Sequence, residues 1–133
     1  MSVNAEDFLL AAEQLLANGS HEIDYRNCMS RAYYATFHAI TPLSDHLPPG
    51  AEYKPDGSHD KKISKLTHCS PTHPEAIMLR AVGNDIQKCK VQLVTADYYI
   101  DDPLAKIDAE EQFLKAEYLF EQIAKLKTAL QIP

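Results

Sequence analysis

Apolar side chains recur at steps of three and four residues through most of this chain, a spacing that gathers them along one side of a helix rather than on alternate faces of a strand. Phe8, Leu9, Ala12, Leu15 and Leu16 make the first such stripe. Asn4 is placed to cap it, Glu6 and Asp7 suit its positive end, and Gly19 stops it. A second stripe begins near Ile23 and runs through Tyr25, Met29, Tyr33, Phe37 and Ile40 to Pro42, where the missing amide donor favours a kink or a stop. A third opens on Thr72, His73, Pro74 and Glu75, which read as a capping box, and continues through Ile77, Leu79, Val82, Ile86, Cys89, Leu93 and Ala96 to about Tyr99. Gly83 is its weak point. Asp101, Asp102 and Pro103 break the pattern. Asp108 and Glu111 then read as a capping pair for a last stripe of Phe113, Leu114, Tyr118, Leu119, Ile123 and Leu126, ending near Leu130.

Over residues 42–74 the prolines concentrate and apolar residues thin out, which reads as a long irregular connection, the kind of segment that often carries function. With little strand patterning and no internal repeat, the chain reads as all-α. The expected architecture is an up-and-down four- to five-helix bundle with a long loop between helices 2 and 3. Its 133 residues suffice for one core and one domain, residues 1–133.

The formal charge of −6 does not supply the field of an unspecific nucleic-acid coat, so any RNA contact requires a local basic site. The first residues carry acids where a signal peptide would be basic, and no stretch approaches the roughly 20 apolar residues of a membrane span. A cytoplasmic protein with no membrane contact is the expectation. Three cysteines, Cys28, Cys69 and Cys89, widely spaced and without a CxxC pair, argue against a disulfide scaffold and for buried thiols at Cys28 and Cys89.

The second stripe also carries chemistry. Seven residues turn a helix by about 700°, about 20° short of two turns, so Arg31 and His38 share a face and stand about 10.5 Å apart along the axis. Asn27, Tyr34 and Thr41 join that face, while Met29, Ala32, Tyr33, Thr36, Phe37 and Ile40 turn to the core. Two readings of the polar stripe stand. It faces solvent or pairs helices in a dimer, as most such residues do, or it forms a phosphate site. In the second reading Arg31 offers planar donors to phosphate oxygens, His38 moves a proton from a ribose 2′-hydroxyl, and Tyr34 steadies either side chain or stacks on a base. No metal or other cofactor is needed for that chemistry.

The segment SRAYYATFHA at residues 30–39 resembles the second-helix signature of HEPN domains of the small stand-alone prokaryotic type. GSHDKK at residues 57–62 is similar to the histidine-bearing segment that follows in that family, and TADYY at residues 95–99 to its late Ala-Asp-Tyr segment. The three come in the family's order, and the resemblance extends over nearly the whole chain. The resemblance implies a helical bundle, usually a homodimer, in a family that includes RNA-cutting toxins and partners of minimal nucleotidyltransferases. Many active members carry an arginine and a histidine with four to six residues between them, meeting across the dimer. Arg31 and His38, with six residues between them, fit that spacing. Ala32 stands where the family has a polar neighbour, and the late segment around Asp97 has no histidine.

Outside that stripe, His59, His68, Cys69 and His73 are metal-type residues, but their spacing matches no recognised zinc pattern and they read as polar loop groups. His59 with Lys61, Lys62 and Lys65 forms the most basic patch, which reads either as a phosphate contact or as a solvated face. Tyr98 beside Asp97 offers a stacking surface or a packing group. No P-loop, dinucleotide fingerprint, HExxH or GxSxG is present.

The leading expectation is an RNA-directed HEPN protein: a metal-independent endoribonuclease, the toxin half of a toxin and antitoxin pair, acting as a homodimer. Its catalytic residues would be Arg31, His38 and Tyr34, with Asn27, His59, Lys61, Lys62, Asp97 and Tyr98 binding. The alternative is a non-catalytic subunit that binds a nucleotide or presents the bundle to a nucleotidyltransferase. A third reading, a structural dimer module, leaves the stripe to specify helix pairing.

Overall fold

The computed structural model describes residues 2–48 and 57–133, which form five helices and no strand. They are α1 (Ala5–Asn18), α2 (Glu22–His46), α3 (Ser58–Thr67), α4 (Ala76–Tyr98) and α5 (Lys106–Ala129). The bundle class is the one expected.

The cap of α1 is the one its sequence suggested. The Asn4 side chain accepts the Asp7 amide, the Asp7 carboxylate accepts the Asn4 amide, and Gly19 closes the helix by donating to the Leu15 carbonyl. Three other boundaries differ from expectation. Pro42 does not end α2, which continues to His46 because Leu43, Ser44 and Leu47 are buried beyond it and the Ser44 hydroxyl donates to the Lys62 carbonyl. That burial outweighs the one helical hydrogen bond proline removes. The expected irregular connection contains α3, a ten-residue helix anchored by buried Ile63 and Leu66. Residues 49–56 of that connection lie outside the described residues.

Thr72 and Glu75 form no capping box. Thr72 bonds Ser70, and the Glu75 amide, now at the helix start, donates to His73 Nδ1. At α5 the reciprocal carboxylate is Asp108, accepting the Ala105 amide at 2.8 Å, so the helix begins one turn before the expected Asp108 and Glu111 pair.

Helix α2 is the pillar: it touches each of the other four helices. Its Met29, Ala32, Tyr33, Thr36, Phe37 and Ile40 are buried, as their spacing required. Two apolar clusters share it. Cys28, Met29 and Ala32 pack with Ala12 of α1, Ala96 of α4 and Ala109, Phe113 and Ala116 of α5. Tyr33, Phe37, Ile40 and Leu43 pack with Ile63 and Leu66 of α3, Leu79 and Ile86 of α4 and Leu119 and Ile123 of α5. All three cysteines are free and buried.

Gly83 is a contact rather than a flaw in α4. A Cβ built there would lie 2.7 Å from Thr67 Oγ1 and 2.8 Å from the Thr67 amide nitrogen, so α3 rests directly on the α4 backbone. Alanine is the better helix former by roughly 1 kcal/mol. Gly83→Ala should nevertheless destabilise by about 1–3 kcal/mol, the usual range for overpacking, because a backbone atom must move. Urea unfolding of the variant measures the sign, and a stabilised variant would show that α3 is free to shift.

Candidate functional site

The outward side of α2 runs between two walls. On one side the His38 ring meets Phe8 of α1 with centroids 4.9 Å apart. On the other stands α3, whose His59 ring stacks on Phe37 with centroids 3.8 Å apart and planes within 6°. Between the walls Asn27, Arg31 and His38 are exposed, and Tyr34 and Thr41 are half-buried. The stripe read from the helical spacing therefore exists and is accessible.

His59 is the residue this geometry brings to the stripe from another helix. Its Nδ1 lies 2.8 Å from the Tyr33 hydroxyl, and Tyr34 meets its ring edge-on with centroids 6.0 Å apart. Lys62 follows on the same helix, its Nζ 5.5 Å from the centre of the Phe37 ring and 3.4 Å from Thr41 Oγ1. Lys61 points to solvent, away from any such contact, and Lys90 pairs with Asp60. His59 thus gathers Tyr34 and Phe37 of α2 around it with Lys62 alongside, and α2 also exposes Arg31 and His38.

Asp97 and Tyr98 do not join this group in the same way. Asp97 Oδ2 accepts a long bond of 3.4 Å from Ser30, one residue along α2 from Arg31. Tyr98 is 74% exposed at the end of α4. Tyr33, assigned only to the core, turns out to hold His59. No sequence spacing connects them, since 26 residues separate the pair.

Burial is the largest influence on His59 and lowers its pKa from the ordinary 6.5; Lys90, His38 and Lys62 push the same way, and Asp60 opposes them. Below pH 6.5 the unfolded chain binds this proton before the folded chain does, so the contribution of neutral His59 to stability is complete above 6.5 and falls as pH drops toward the folded value. His59→Phe, which keeps the stack on Phe37, should flatten that acid-side decline. Thermal unfolding of both proteins between pH 7 and pH 5 checks it, and parallel curves would assign the decline to other groups.

A buried cation earlier on α2 is structural. Arg26, 5% exposed, donates to the carbonyls of Thr95, Ala96, Tyr99, Ile100 and Asp102 and to Glu22 Oε2. The Leu104 amide, and after it Arg26, hold the Glu22 carboxyl below its usual range. Sequence reasoning passed over Arg26, and its only local signal is the i,i+4 step from Glu22.

Among the described residues no three His, Cys, Asp or Glu side chains are grouped to hold a metal. The expected loop histidines disperse. His73 caps the turn before α4, Cys69 is buried and donates to the Ala76 carbonyl, and His59 faces Tyr33. No helix among the described residues is long and apolar enough to cross a membrane.

No protein-family model, curated protein or solved structure matches this chain.

Proposed function

We propose that this chain is an HEPN-type, RNA-directed protein of the cytoplasm, a metal-independent endoribonuclease that works as a homodimer and serves as the toxin of a toxin and antitoxin pair. The observation that carries the reading is the exposed stripe on α2, where Arg31 and His38 share one face and α3 sets His59 and Lys62 against the neighbouring Phe37. Arg31 and Lys62 give this side of an acidic molecule the local positive charge that holding a polyanion requires. The resemblance of residues 30–39, 57–62 and 95–99 to HEPN segments supports the same reading.

In the proposed reaction His38 takes the proton of a ribose 2′-hydroxyl as that oxygen attacks phosphorus. The bond from phosphorus to the 5′-oxygen breaks, and that oxygen takes a proton from water or from the histidine of a second protomer. The products are a 2′,3′-cyclic phosphate and a 5′-hydroxyl. Arg31 stabilises the charge that gathers on the phosphoryl oxygens. Tyr34, half-buried one turn after Arg31 and with its ring against His59, would stack on a base.

One observation favours the second reading, a non-catalytic subunit that binds a nucleotide or presents the bundle to a nucleotidyltransferase. The residue that follows Arg31 is Ala32, fully buried, so no polar side chain stands there to share the work.

The test is incubation of the purified protein with RNAs of varied sequence in chelator, with binding followed by fluorescence anisotropy. The nuclease reading expects cleavage with cyclic-phosphate ends and loss of cleavage in Arg31→Ala. Binding without cleavage transfers the function to the second reading. Intact RNA with no binding removes RNA from both.

A further inference from the structure

A groove of 450 Å³ opens between the start of α1, the later part of α2 and the end of α5, and His38 lines it. Its apolar walls include Ala39 of α2 and Phe120 and Ala124 of α5. Glu6 of α1 and Lys127 of α5 also line it. Although they carry opposite charges, they are not among the ion pairs formed by the described residues, and no hydrogen bond occupies either side chain. The volume falls in the range of small-ligand sites, which combine apolar walls with a few polar groups that fix orientation.

We propose that this groove binds the guanine base of an RNA strand whose ribose lies at His38. The proposal rests on the RNA-directed reading for His38 and goes beyond it in naming the base. The occupant follows from the two unpaired charges. A carboxylate accepts two parallel donors, and guanine presents N1–H and N2–H₂ side by side on one edge. An ammonium donates to acceptors, and guanine presents O6 and N7 on the adjoining edge. Adenine places an acceptor, N1, where Glu6 requires a donor. Cytosine offers one amino donor, and uracil one ring N–H. Phe120, half-exposed in the wall, gives a base face an aromatic surface. His38 then stands where the base groove meets the exposed stripe of α2, where a guanosine 2′-hydroxyl and its 3′-phosphate would lie.

The experiment is an NMR titration of the full chain with guanosine, adenosine, cytidine and uridine, each alone, followed at the amides of Ala39, Ala124 and Lys127. Guanosine should bind about tenfold or more tightly than the other three. Glu6→Gln, at an exposed position, should remove that preference, and Ala124→Phe, which fills the groove from its exposed wall, should abolish binding. Equal affinity for all four nucleosides, no binding, or binding untouched by Ala124→Phe would each overturn the proposal. The outcome separates from that of the nuclease reading. Guanosine binding with no RNA cleavage keeps the groove and ends the nuclease, whereas cleavage indifferent to the base with no nucleoside binding ends the groove alone.

Discussion

Arg26→Ala should lower the unfolding free energy by about 3–5 kcal/mol, the range found when one partner of a buried charged network is removed. The reason is the company the guanidinium keeps. Five carbonyls, from Thr95, Ala96, Tyr99, Ile100 and Asp102, converge on it from the last turn of α4 and the link to α5. A helix end leaves its last carbonyls without intrahelical donors, and the negative end of the helix dipole gathers there. A planar fork of N–H groups satisfies several such oxygens at once. Alanine would leave these oxygens facing a void and strand Glu22, whose other oxygen holds the Leu104 amide. A fall in melting temperature on the order of 10–20 °C corresponds to that loss in a chain of this size. Arg26→Lys should recover only part of it, since an ammonium reaches fewer of the oxygens. Urea unfolding of the three proteins at matched slope measures the effect, and a loss below about 1 kcal/mol would mean that water replaces the guanidinium at little cost.

The other large effect expected is on turnover. Under the proposed reaction His38→Ala should reduce RNA cleavage by about 10²- to 10⁴-fold, the usual contribution of a positioned proton carrier. Arg31→Ala should cost about 10²- to 10³-fold, as does loss of one donor to a developing oxyanion. Because both side chains are exposed, thermal unfolding should shift little apart from the loss of the ring contacts of His38 with Phe8 and Phe37. The two variants should differ in binding. Arg31→Ala should weaken RNA affinity and lower the salt slope by about 0.7, the value for one phosphate contact on a single strand. His38→Ala, which removes no fixed charge, should leave that slope unchanged. Cleavage equal to the parent protein in both variants would dismiss the stripe as the reacting centre.

What was legible in the sequence is what depends on neighbours along the chain. Asn4, Asp7 and Gly19 bound α1 through contacts three or four residues away, and the buried side of α2 follows from helical repeat alone. The exposure of Asn27, Arg31 and His38 followed from the same repeat. What escaped depends on distant partners. Helix α3 was hidden by the prolines around it, although His59, Ile63 and Leu66 already fall at steps of four and three. Thr72 and Glu75 had the letters of a capping box, but the turn closed on Ser70 and His73 first. Arg26 looked like one more charged residue of a helix start because its acceptors lie 69 to 76 residues later. The meeting of His59 with Tyr33 and Phe37, and the groove shared by α1, α2 and α5, exist only once the helices pack.

The buried thiols turn the two halves of the core into separately readable instruments. Cys28 sits in the cluster of α1 with the first part of α2, and Cys89 in the cluster beneath α3. Burial raises both thiols to about 11, so little thiolate exists near neutral pH and neither meets a reagent while its cluster is closed. Alkylation at each sulfur therefore reports how often its own neighbourhood opens. Equal rates at the two positions would describe a bundle that comes apart as a whole, and unequal rates would rank its ends by their readiness to part.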